Sequence, residues 1–340
     1  TIAVMVWLVV CAISPLAAQR PDVYSQLWGT NGENWFDESR LTDFSYAGYQ
    51  RGERHLPSRT PDLSVRDFGA IGDGETDDTA AFHSAIQASA GKTIAIPKGE
   101  YVITDQLVIR ESNTVLQGAG ITKTKLRFPT PLNDIKPNWG ATTTGLRTSN
   151  YSWSGGFISV QGDLSTQELA SVTRPARRGS RALSVSTVKR LNVGDEFRMT
   201  LKDTDDQSLI KHLYDNDPGP IENVGRRATD SFVARITEVN RRTREIHFDR
   251  PLRTDVRLSW QPTLYPASSS VEEVGIEGMS FEFPPTPYDG HFSEVGYNAI
   301  AMTGTRHCWI QNVRVYNADS GFFISGINTT LNKILLESDR

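Results

Sequence analysis

Near its C-terminal end the chain repeats a three-point apolar pattern. Ile310, Val313 and Val315 stand three and two residues apart, and Leu331, Ile334 and Leu336 keep that spacing 21 residues later. Ile276, Met279 and Phe281 share it 34 residues before Ile310, as though one turn carried an enlarged loop. A second register agrees: Ile300, Met302 and Gly304 recur as Phe322, Ile324 and Gly326, 22 residues on. A period of about 20–25 residues with short apolar strands and Asn or Gly corners is the pattern of a parallel β-solenoid, in which each coil buries the apolar face of the last. With 27 Gly and 17 Pro, the chain is punctuated too often to be mostly helical.

Upstream the same texture begins after Gly91, with short strands at Thr93–Ile96, Glu100–Ile103, Gln106–Ile109 and Thr114–Gln117. A helix is expected over 77–88, with Ala81, Phe82, Ala85 and Ile86 forming one apolar stripe. Asp77 or Asp78 would cap its free N–H groups. Between 161 and 265 apolar and polar residues alternate, as in Val233–Val239 and Glu245–Phe248. Alternation is the mark of half-exposed antiparallel strands, so a small β-module is expected as an insertion. Residues 19–62 carry many aromatics and arginines without periodicity, and read as an ordered arm along a larger body.

The stretch Val65-Arg66-Asp67-Phe68-Gly69-Ala70-Ile71-Gly72-Asp73-Gly74-Glu75-Thr76-Asp77-Asp78, continuing through Ile96-Pro97-Lys98-Gly99 to Leu116-Gln117-Gly118-Ala119-Gly120, resembles the opening of the pectate-lyase superfamily. That group includes pectate lyases, polygalacturonases, rhamnogalacturonases, uronan epimerases and phage tailspikes. The resemblance implies an all-β fold, a right-handed parallel β-helix with its capping helix, expected over 63–160 and 266–340; it does not cover the arm or the 161–265 module. The motif itself reads as structural, its glycines permitting turns closed to other residues. The coils are still running at the last residue, so the β-helix is expected to be truncated at its C-terminus.

The implied function is cleavage of an anionic polysaccharide, uronic-acid or sulfated. Elimination needs a base to take the proton α to a carboxylate, and hydrolysis needs two carboxyl groups. The densest polar cluster is Tyr288-Asp289-Gly290-His291-Phe292-Ser293-Glu294-Val295-Gly296-Tyr297-Asn298, in the loop that enlarges one coil. One role set makes His291 the base, Glu294 its orienter or the acid, and Tyr297 and Asn298 sugar contacts. Asn317-Ala318-Asp319-Ser320-Gly321 loosely resembles the Asn-Thr-Asp-Gly element of polygalacturonases, with Ala318 in place of Thr and Ser320 inserted. That makes Asp319 a third catalytic candidate and Asn317 a substrate contact; the plainer reading has both bonding a turn. His307 is either a substrate contact or a packed corner residue. No motif demands a cofactor, and Ca²⁺ is the cation that Asp73, Asp77 and Asp78 would take if six or more oxygens converged there.

The formal charge of −4 lacks the basic excess of a nucleic-acid binder. Residues 1–18 read as a signal peptide, because the apolar run of 2–13 is too short to span a bilayer and ends in small residues. A secreted or periplasmic protein without stable membrane insertion is therefore expected. Two other classes compete with the enzyme: a carbohydrate-binding solenoid without activity, and a tailspike-like structural β-helix.

Overall fold

The computed structural model describes residues 24–142, 144–222, 224 and 228–339, so the expected signal peptide lies outside the described residues. Two parallel sheets wrap one core. The larger has the order Leu63–Ser64, Thr93–Ile96, Val115–Gly118, Gly275–Glu282, Thr124–Arg127, Gly99–Val102, Asp73–Asp77, and Gly275–Glu282 continues through Trp309–Tyr316 to Thr330–Glu337. The smaller stacks Leu107–Ile109, Ile158–Gln161, Asn298–Arg306 and Gly321–Ile327.

The first repeat register holds residue for residue: Ile276, Ile310 and Leu331 are neighbours, as are Met279, Val313 and Ile334, and Phe281, Val315 and Leu336. Its odd spacing has a physical cause. A flat strand points every second residue inward. Here each long strand bends at one left-handed residue, Gly278 (φ 70), Asn312 (φ 51) or Lys333 (φ 54), which adds a position and turns the chain onto the next face. At Gly278 only a glycine fits, since a Cβ there would lie 2.6 Å from the Gly118 carbonyl oxygen. In the second register Ile300 pairs with Phe322 and Met302 with Ile324, but a bulge then sets Thr305, not Gly304, opposite Gly326.

Apolar side chains fill the coil interior, with Phe128 stacked on Phe281 and Phe283 at 5.8 and 5.4 Å. The helix Thr79–Ser89 lays Phe82 and Ala85 over the first coil, Phe82 meeting Tyr101 edge-on. Of the two expected capping residues, Asp77 does the capping. Asp77 accepts from the Thr79 amide at 2.9 Å, but Asp78, at the N-cap, turns back to the Ile71 and Gly72 amides at 2.6 and 3.1 Å and holds the glycine turn closed.

Six antiparallel strands form the inserted module, in the order Ala170–Ser171, Thr263–Pro266, Glu196–Lys202, Thr229–Asn240, Glu245–Phe248, Ala182–Ser184. Its core is separate, built on Phe197, Phe232, Phe248, Trp260 and Leu264. The described part of the arm laces both bodies. Tyr49 packs edge-on against Trp309 at 5.4 Å, and Asp37 takes Arg181 bidentately at 2.6 and 2.8 Å. Arg51, buried, pairs with Asp249 and lies 3.9 Å from Glu196. Glu196 also holds Arg306 at 2.8 Å and Arg235 at 3.2 Å; burial alone would raise its pKa, yet these arginines hold it below the usual carboxylate value.

Candidate functional site

The strand Gly275–Glu282 ends and the chain leaves the coil through residues 283–297 before returning as Asn298–Arg306. In this loop Glu294 is buried, its side chain 2% exposed, while His291 stands out at 58%. The Nδ1 of His291 and an Oε1 of Glu294 are 2.9 Å apart, Tyr288 donates to the same oxygen at 2.9 Å, and Ser152 donates to Oε2. Burial alone would push the carboxyl up. The hydrogen bonds from Ser152, His291, its own backbone and Tyr288 outweigh that and hold it at about 2. Glu294 is therefore an ionised group at any ordinary pH, fit to orient an imidazole and unfit to donate a proton.

Exposed rings surround the pair. Trp153 meets Phe292 edge-on at 5.7 Å, His291 lies 4.1 Å from Phe292, and Tyr288 is exposed beside them. Exposed aromatic faces grouped about a polar centre are suited to the apolar faces of sugar rings. A groove of about 560 Å³ opens at the start of the loop, lined by Arg127, Glu282, Phe283, Pro284, Tyr316 and Asn317 among others.

The remaining sequence candidates do not reach this centre as contacts. Tyr297 was expected at the sugar, but its ring is buried against Phe283 at 5.5 Å and its hydroxyl donates to the Pro129 carbonyl at 3.1 Å. Asn298 is buried, donating to the Tyr151 carbonyl at 2.9 Å and accepting from the Ser320 amide at 3.1 Å. Asn317 is buried too and accepts from the Asp339 amide at 2.9 Å. Asp319 approaches the loop from the next coil and accepts from the Gly296 and Tyr297 amides, both at 2.9 Å. Its carboxylate thus fixes the foot of the loop that carries His291 and Glu294.

His307 belongs to a column of left-handed corner residues with Asn113, Glu273 and Asn328. It is buried under the arm, where its Nδ1 accepts from the Gln50 amide at 3.2 Å. Burial and the adjacent Arg306 hold its pKa below the usual histidine value. Beside it, burial pushes the Cys308 thiol up to about 11, which removes it as a nucleophile.

Among the described residues no group of three or more His, Cys, Asp or Glu is arranged to hold a metal ion. The acidic turn shows why: Asp73 is spent on Glu75 and Thr76, Asp77 on Thr79 and Thr104, and Asp78 on Ile71 and Gly72. In the module, Asp203 accepts from the Leu209 and Ile210 amides and His212 packs on Trp260. Among the described residues no helix is long and apolar enough to cross a membrane.

The fold is a parallel β-helix, and sequence comparison agrees with it. Residues 63–187 match the family described as rhamnogalacturonase A/epimerase, pectate lyase-like. This partial match and the fold support a pectin-lyase-like parallel β-helix. It is 30% identical over 128 residues to the pre-neck appendage protein of Bacillus phage B103, a match covering 36% of this chain and 14% of that protein. It is 35% identical over 99 residues to the mannuronan C5-epimerase AlgE3 of Azotobacter vinelandii, covering 26% of this chain and 5% of that one. Among solved structures, the tailspike gp49 of Pseudomonas phage LKA1 superimposes with a TM-score of 0.47 at 14% identity, covering 80% of this chain and 46% of the tailspike. The matched part is a small fraction of both curated relatives.

Proposed function

We propose that this β-helix acts on an acidic polysaccharide, with His291 as the proton-transferring group and Glu294 as its orienting carboxylate. The observation that carries this reading is the 2.9 Å contact between an exposed imidazole and a buried, ionised carboxylate, rimmed by exposed rings. A carboxylate on Nδ1 leaves Nε2 free to accept a proton and stabilises the imidazolium that forms. The reaction class that fits is proton abstraction next to a sugar carboxylate. The C–H bond breaks, its proton passes to Nε2, and its electron pair enters the carboxylate as an enediolate. That pair then expels the neighbouring glycosidic oxygen, which leaves with a proton from the imidazolium or water, giving elimination, or takes a proton from water on the other face, giving epimerisation. Hydrolysis fits less well, because it needs one carboxylic acid kept protonated, and Glu294, held at about 2, is not that acid.

The exposed rings of Trp153, Phe292 and Tyr288 would serve binding alone, which gives a second reading, a β-helix that binds polysaccharide without transforming it. One experiment separates the two. The protein is incubated with polyuronates, sulfated and neutral polysaccharides in deuterated buffer, following ultraviolet absorbance of unsaturated product, reducing ends and deuterium in the sugar. The proposal expects unsaturated product or deuterium on a polyuronate, abolished in His291→Ala. Reducing ends without either would mean hydrolysis and overturn it; binding without any reaction would leave the second reading.

A further inference from the structure

The strands Trp139–Ala141 and Arg147–Ser149 form a hairpin that the reaction above does not use. It is seated on the candidate loop. The Ser149 amide donates to the Phe292 carbonyl at 2.8 Å, while Asn133 donates to the Ser149 hydroxyl at 2.8 Å and to the Glu294 carbonyl at 3.2 Å. Its base is pinned where Asn150 donates to the Asn138 side chain at 2.9 Å and Tyr151 to the Lys136 carbonyl at 2.7 Å. From this platform the Arg147 guanidinium lies 3.9 Å above the centre of the Trp139 ring, and both residues are exposed. Among the described residues no carboxylate pairs with Arg147, unlike Arg314, which lies over Tyr316 and is paired with Glu337.

Stacking occupies the face of a guanidinium and leaves the N–H fork in its plane free. The ring also limits the rotamers of a long side chain, so less freedom is lost when the fork meets a ligand. Such a fork matches a carboxylate or sulfate with two parallel hydrogen bonds. We propose that Arg147, held on Trp139, reads the acidic group of a sugar residue whose chain lies over Trp153 and Phe292. Arg147 then sets specificity for anionic over neutral polysaccharide. This deepens the reading of the loop as a polysaccharide site and rests on it.

The test is binding of Arg147→Gln, Arg147→Lys and Trp139→Phe to a polyuronate, a sulfated polymer and a neutral polymer, by affinity electrophoresis at low and high salt. Near-ultraviolet circular dichroism confirms that each variant is folded. The expected result for Arg147→Gln is a loss of roughly tenfold or more on the acidic polymer, unchanged binding to any neutral polymer, and a flatter salt dependence. Arg147→Lys restores only part, because an ammonium lacks the fork, and Trp139→Phe, which keeps a ring under the guanidinium, loses less than Arg147→Gln. The preferred acidic polymer tells carboxylate from sulfate. Unchanged acidic binding in Arg147→Gln, or equal losses on acidic and neutral polymers, overturns this inference and leaves the loop's function standing. Failure of the unaltered protein to bind any polysaccharide overturns both.

Discussion

Replacing Glu294 by Gln keeps the shape of the side chain and removes its charge. In the folded protein this carboxyl sits at about 2, against 4.5 for an ordinary glutamate, a difference worth about 3 kcal/mol of folding stability. The sign follows from the folded state preferring the ionised form. The stabilisation is complete above the unfolded value of 4.5 and is lost as pH falls through about 2. By about pH 3, about 2 kcal/mol of it is gone. Glutamine has no proton to gain, so the variant lacks that loss, although it is less stable at neutral pH because its amide NH₂ faces donors. Urea unfolding of both proteins, followed by near-ultraviolet circular dichroism, measures the gap between them. The gap is expected to shrink by about 2 kcal/mol between about pH 7 and about pH 3. A gap that does not change with pH would refute the claim that a buried, ionised Glu294 organises the loop.

Two further outcomes test the fold around the site. Gly278→Ala puts a Cβ 2.6 Å from the Gly118 oxygen at φ 70 and should cost about 2–4 kcal/mol, whereas Asn312→Gly at the equivalent bend (φ 51) should stay within about 1 kcal/mol of the parent in urea. His307 is held neutral by burial and Arg306 while the unfolded chain takes up the proton near 6.5, so stability falls as pH drops below that value; His307→Gln should flatten the melting temperature between about pH 7 and about pH 5, and an unchanged slope would place that titration elsewhere.

Much of the β-helix is legible without coordinates because its period is written in apolar side chains. Ile310 and Leu331 had to meet, since each coil must bury the same face against its neighbour. The three-residue step also had a meaning that the pattern alone does not disclose, namely a left-handed bend at Asn312 and Lys333. The module reads from alternation for the same reason, one face of each strand being covered and the other wet. The loop was singled out by its density of polar groups, and His291 and Glu294 do meet, as an i, i+3 pair in one short segment.

The rest of the site had no local signal. Ser152 and Trp153 lie about 140 residues from His291 in sequence, and only stacked coils bring them to the His291–Glu294 pair, as they bring the hairpin of Trp139 and Arg147 onto the same loop. Composition likewise could not tell a sugar contact from a corner. Tyr297, Asn298, Asn317 and Asp319 are the residue types that bind sugars, and equally those that satisfy the backbone of a tight turn. The repeat follows from the order of residues alone, because apolar burial has a period. Which polar groups are left over for chemistry depends on how the coils pack, because a side chain is free to act only when the backbone around it needs no hydrogen bond from it.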